Sequence, residues 1–127
     1  MSGGPGPYVS PIVALYRRPH NHGALEGATH EREGDNPLCG DRIRLQLQVE
    51  DARVIRAGFT ANACALCTAS ASLLTDRLHG MPVADAAALA DADALSAIGT
   101  EVPAARVRCV TLPYDTLRAA LRVPADS

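Results

Sequence analysis

Over residues 42–49 the chain alternates polar and apolar positions without a fault. Ile43, Leu45, Leu47 and Val49 fall on one side, and Arg42, Arg44, Gln46 and Gln48 on the other. A stretch with period two cannot present its apolar residues as one helical face, so it commits the fold to a sheet with one dry and one wet face. Glu50 and Asp51 make the expected turn, and residues 53–60 return as a second, antiparallel strand.

After Asn62 the period changes to 3.6. Leu66, Ala69, Leu73, Leu74 and Leu78 form one stripe of a helix over residues 65–79, which Gly80 ends. Residues 82–98, rich in Ala and Asp, read as one or two short helices with a break near Asp91. Pro103 opens a helical turn that runs through Val110. The residue before a proline is biased away from helix, so a break is expected at Leu112. A last helix follows, with Leu117, Ala120 and Leu121 inward.

Upstream, residues 1–9 are rich in Gly and Pro and read as a disordered tail, with a second short tail at 124–127. Ser10 as N-cap and Pro11 as the first helical residue open a short helix through residue 18, and Pro19 ends it. Residues 20–37 read as a long loop. The expected architecture is a single α+β domain over residues 10–123, a small antiparallel sheet packed against several helices.

The formal net charge of −2 argues against nucleic acid as a partner. All twelve basic residues are arginine, a lineage or codon bias. No stretch has the pattern of a signal peptide, and no apolar run reaches the roughly 18–20 residues of a membrane span. The expectation is a cytoplasmic protein with no membrane partner. Disulfides are rare there, so its four cysteines point to metal or redox chemistry.

Cys39 and Asp41 sit in NPLCGD, just before the first strand, and Cys64 sits just after the second. In a hairpin those two chain positions are neighbours at one edge, so the three side chains converge. Cys109, on a later helical segment, is placed to close the site. Three thiolates and a carboxylate suffice for tetrahedral zinc or a small cluster. Cys64 at a helix N-terminus is favoured as an anion. Arg106 and Arg108 flank Cys109 and either lower its pKa or are merely solvated; spacing alone leaves both open. It also leaves open scattered core cysteines.

NPLCGDRIRLQLQVED, FTANACALCTASASLL and RVRCVTL, in that order, resemble the IscU/SufU-type iron–sulfur scaffold proteins, the NifU N-terminal family. The resemblance runs from about Ile12 to Leu121 and includes LYRRPHNHGAL. It implies a SufE/IscU-like scaffold fold, with Cys39, Asp41, Cys64 and Cys109 as ligands of zinc or of a transient [2Fe–2S] cluster. It implies a SufS- or IscS-type cysteine desulfurase as sulfur donor and apo iron–sulfur proteins as acceptors. Cys109 and Cys39 are then the candidate persulfide acceptors, with Arg106 as electrostatic support.

Several positions depart from the family pattern. IscU-type members carry a His before the last cysteine, where this chain has Arg108. The Arg106-to-Cys109 spacing instead resembles the SufU type, whose role is zinc-dependent sulfur transfer. The stretch from Cys64 to Cys109 is too short for the usual SufU insertion. VPAAR at 102–106 replaces the Leu-Pro-Pro-Val-Lys segment, so the resemblance does not carry the dedicated Hsp70 chaperone over as a partner. Ala63 replaces a usual glycine.

Three readings follow: a cluster scaffold, a zinc-dependent sulfur carrier that activates its desulfurase, and a structural zinc or partner-binding module. Whether the chain turns over as a sulfurtransferase stays open. Cys67 makes a C-x-x-C with Cys64, but without a βαβ pattern a small buried helix residue is the better reading. His20, His22 and His30 read as solvated loop residues, and His79 as a neighbour of a helix C-terminus.

Overall fold

The computed structural model describes residues 9–122. The expected tails, apart from Val9, lie outside them. β2 (Asp41–Glu50) and β3 (Arg53–Asn62) form the expected antiparallel hairpin, with Arg42 opposite Asn62 and Leu45 opposite Phe59. Its turn falls on Asp51 and Ala52, one position later than expected. Both adopt left-handed backbone, φ 52 and 62, the primed turn whose twist matches paired strands. Glu50 is thereby drawn into the ladder opposite Arg53. A register shift beside Gln48 leaves Ile55 as the extra residue of a bulge, so Val54, Ala57 and Phe59 all face the core.

The stretch expected as a long loop holds a third strand, β1 (His30–Asn36), giving a sheet of order β1-β2-β3. Its sequence, HEREGDN, has no apolar residue to reveal the alternation. Gly34, opposite Ile43, explains why. A Cβ there would overlap the Thr116 hydroxyl. This strand meets its covering helix through backbone rather than through an apolar side chain.

α1 (Val9–Arg17) begins one residue before the expected cap, so Ser10 is inside the helix, and it ends close to Pro19. α2 (Ala65–Leu78) runs as expected, with His79 as its cap and Gly80 beyond. Its burial is wider than one stripe. Ala69, Leu74 and Leu78 are buried, but so are Thr68, Ser70, Ser72 and Thr75, whereas Leu66 and Leu73 are only half-buried. The small side chains let α1, β3 and the last helix pack around it. α3 (Val83–Ala87) and α4 (Asp91–Ile98) are the two short helices, and the Asp93 carboxylate accepts the Ala90 N–H at 2.7 Å.

A 3₁₀ turn (Ala104–Arg106) leads into α5 (Val107–Arg122). The expected break at Leu112 does not occur: α5 continues through Pro113. An interior proline costs about 3 kcal/mol. Against this, Val110, Leu112, Tyr114 and Leu117 are buried on either side of it. Each such burial contributes about 1.5–3 kcal/mol, so packing outweighs the local preference. Leu117 and Ala120 face inward as expected, and Leu121 is half-buried. The core lies between the dry face of the sheet and helices α2 and α5. Among the described residues, no helix is long and apolar enough to cross a membrane.

Candidate metal centre

The first group stands on the turn between β1 and β2. Asn36 organises that turn. Its carbonyl accepts the N–H of Gly40 at 2.8 Å, and its side-chain oxygen accepts the N–H of Leu38 at 3.2 Å. Gly40, at φ 74, makes the left-handed step that Asp41 follows into β2. Cys39 is exposed here, and Leu38 beside it is 87 % exposed.

The hairpin then does what its register requires. It returns the chain beside Asp41, and Cys64 caps α2 with extended backbone. The Asp41 carboxylate, 3 % exposed, accepts the Cys64 N–H at 2.9 Å through Oδ1. Its Oδ2 lies 3.3 Å from the Cys39 Sγ and 3.5 Å from the Cys64 Sγ. Cys109, in the first turn of α5 and fully buried, closes the corner with its Sγ 3.6 Å from that of Cys39. The ligand atoms of Cys39, Asp41 and Cys109 all lie within 4.8 Å of one another. Cys64 stands just outside that trio, against Asp41. The structure thus brings together the four residues that the sequence singled out.

Burial pushes the Cys109 thiol up, and its contacts with Cys39 and Cys64 push the same way. Arg106 is exposed, and its guanidinium pKa is raised by interaction with Cys109 and by the charge of Cys64. It lines the same groove as Cys64. Arg108 is exposed and fits the solvated reading. Cys67 is fully buried; burial, and then the charge of Asp41, raise its pKa. The imidazoles lie elsewhere. His20 Nδ1 pairs with Asp76 at 2.6 Å, and His22 packs edge-on against Phe59. His30 meets Thr29, and the His79 Nε2 lies 3.4 Å from the Ala57 carbonyl.

A groove of about 1010 Å³ was not visible in the sequence. Ile12, Val13, Leu66 and Val102 line it, and it opens on Cys64 and Arg106. Apolar residues from α1, from α2 and from the segment before the 3₁₀ turn make it, and only the fold assembles them.

The NifU-like N terminal domain family matches residues 7–123. The chain belongs to that family. The iron–sulfur cluster assembly scaffold protein IscU of Streptococcus pyogenes serotype M1 is 30 % identical to this NifU-like domain, over 94 % of this chain and 86 % of that protein. The zinc-dependent sulfurtransferase SufU of Bacillus subtilis (strain 168) is also 30 % identical, over 87 % and 86 %. Among solved structures, a hypothetical protein superposes with a TM-score of 0.76 at 30 % identity, covering 91 % of this chain and 97 % of that one. A scaffold protein for the SUF system from Fervidobacterium islandicum AW-1 has a TM-score of 0.73 at 21 % identity, covering 87 % and 93 %, and shares the fold.

Proposed function

We propose that the protein is an iron–sulfur cluster assembly scaffold that takes sulfur from a cysteine desulfurase and builds and passes on a [2Fe–2S] cluster. The observation that carries this reading is the convergence of Cys39, Asp41, Cys64 and Cys109 from three separate parts of the chain. Three soft donors and one hard donor suit iron or zinc, and hold a cargo less firmly than four thiolates would.

Sulfur uptake needs an accessible thiolate. The Cys39 or Cys109 thiolate attacks the outer sulfur of the donor's persulfide. A new S–S bond forms here, the donor's S–S bond breaks, and its thiolate leaves. Cys39 is the exposed candidate; Cys109 is the one beside Arg106. Zinc fits the same donor set, and Cys39, Asp41, Cys64 and Cys109 would hold it. When bound it keeps the thiols deprotonated and shields them from oxidation. The partners on this reading are a SufS- or IscS-type cysteine desulfurase and apo iron–sulfur acceptors.

A zinc-dependent sulfur carrier is the second reading. It is favoured by Arg106 lining one groove with Cys64, and by Arg108, not an imidazole, next to Cys109. One experiment separates the two. Anaerobic incubation with a desulfurase, iron and cysteine yields charge-transfer absorption if the protein is a scaffold. A colourless product that still stimulates the desulfurase in the presence of reductant would overturn the scaffold in favour of the carrier.

A further inference from the structure

Ser70, on α2, is 3 % exposed, and its hydroxyl donates a 2.6 Å hydrogen bond to the main-chain carbonyl of Val110 on α5. A serine or threonine inside a helix ordinarily turns back onto the carbonyl of its own preceding turn. Thr75 does so with Ala71 and Thr116 with Leu112, each at 2.8 Å. Ser70 reaches across to the neighbouring helix instead.

The place it reaches is the weak point of the α5 ladder. Pro113 has no N–H, so the carbonyl four residues earlier, that of Cys109, loses its partner within the helix, and the proline ring crowds it. Val110 is the next residue. The turn that carries the Cys109 thiol is therefore tied less firmly to the rest of α5 than an unbroken ladder would tie it. The Ser70 bond holds it from the side of α2, the helix that Cys64 caps.

We propose that Ser70 is a positioning residue for Cys109. Its hydroxyl fastens the start of α5 to α2 and holds the thiol in register with Cys39 and Asp41. Pro113 supplies the give through which the thiol swings out when that bond is lost. What the thiol does there rests on the function proposed above; where it stands does not.

The test labels the full-length chain, stripped of metal by a chelator and kept reduced, with iodoacetamide under native conditions. Peptide mass spectrometry reads the rate at each cysteine. Cys67, fully buried on α2, is the internal control for general loosening. Ser70→Ala raises the Cys109 rate relative to Cys67 about five- to tenfold, the consequence of one lost buried hydrogen bond. Ser70→Thr keeps the hydroxyl and returns the ratio towards wild type. Pro113→Ala restores an N–H to the ladder and reduces the effect of Ser70→Ala in the double variant. An unchanged ratio in Ser70→Ala, or a parallel rise at Cys67 and Cys109, overturns the proposal. Should Ser70→Ala not fold, Pro113→Ala alone decides, because it must lower the ratio below wild type. Zinc transfer from the wild type to a chromophoric chelator is read separately. A shifted ratio in a protein that binds no zinc keeps the positioning role and counts against the metal site. An unshifted ratio in a protein that does bind zinc keeps the metal site and overturns the positioning role.

Discussion

Asp41 holds two positions at once. One carboxylate oxygen accepts the Cys64 N–H at 2.9 Å, and the other faces the Cys39 and Cys64 thiols. The two substitutions that remove its charge therefore differ. Asp41→Ala loses the acceptor at the start of α2 and costs about 1 kcal/mol of stability, whereas Asp41→Asn keeps it and costs less. Asp41→Ala removes the hard donor and Asp41→Asn replaces it with a neutral, weaker one, so both are expected to change the rate of [2Fe–2S] transfer to an apo-acceptor, followed by circular dichroism, with Asp41→Ala the slower. An unchanged transfer rate would remove Asp41 from the site. On the wet face of the sheet, Arg44 bonds Glu31 and lowers its pKa. A carboxylate depressed in the folded state adds stability above its ordinary range, and the gain is lost as pH falls through the folded value. The pair is exposed, so the contribution is at most about 0.5 kcal/mol. Glu31→Gln should flatten that part of a stability curve measured between pH 6 and pH 3.

At the scale of elements, legibility in the sequence followed how each residue meets its neighbours. Ile43, Leu45 and Leu47 pack side chains into the core, so β2 was plain. β1 packs Gly34 under Thr116 and turns charged residues outward, so it carried no apolar signal. Pro113 sent a local signal that burial along α5 overrode. The convergence of Cys39, Asp41 and Cys64 was legible because hairpin register alone implies it, and Arg106 because it stands three positions before Cys109; the groove beside Cys64 depends on tertiary placement. The β1–α5 contact has its own test. Gly34→Ala places a Cβ against the Thr116 hydroxyl and should cost about 1–3 kcal/mol by denaturant unfolding. Thr116→Ala removes that hydroxyl, so the double variant should lose less than the two single losses combined. Simple additivity would show that the helix shifts away without resistance.

At the scale of the molecule, the candidate ligands join the β1–β2 turn, the junction of β3 with α2, and the first turn of α5. A metal held there stabilises the whole domain, because it binds the folded chain and finds no assembled set in the unfolded one. Removing it with a chelator should lower the unfolding free energy of the purified protein by about 2.7 kcal/mol if the free metal stood at a hundred times its dissociation constant, and its unfolding midpoint with it. Cys39→Ser should shrink that difference, as measured by calorimetry with and without chelator. Equal midpoints before and after chelation of a metal-loaded sample would count against ligation by the folded site.

Cys39 and Cys109 touch although 70 positions separate them. On the ribosome the first thiol, the carboxylate and Cys64 emerge well before the last thiol. On the proposed function, a metal caught by the growing chain would be gripped by an incomplete set until α5 is made and docks. Closing such a cage and docking α5 would be one event, so a chain truncated before Val107 is expected to surrender a bound metal to a chelator faster than the full chain.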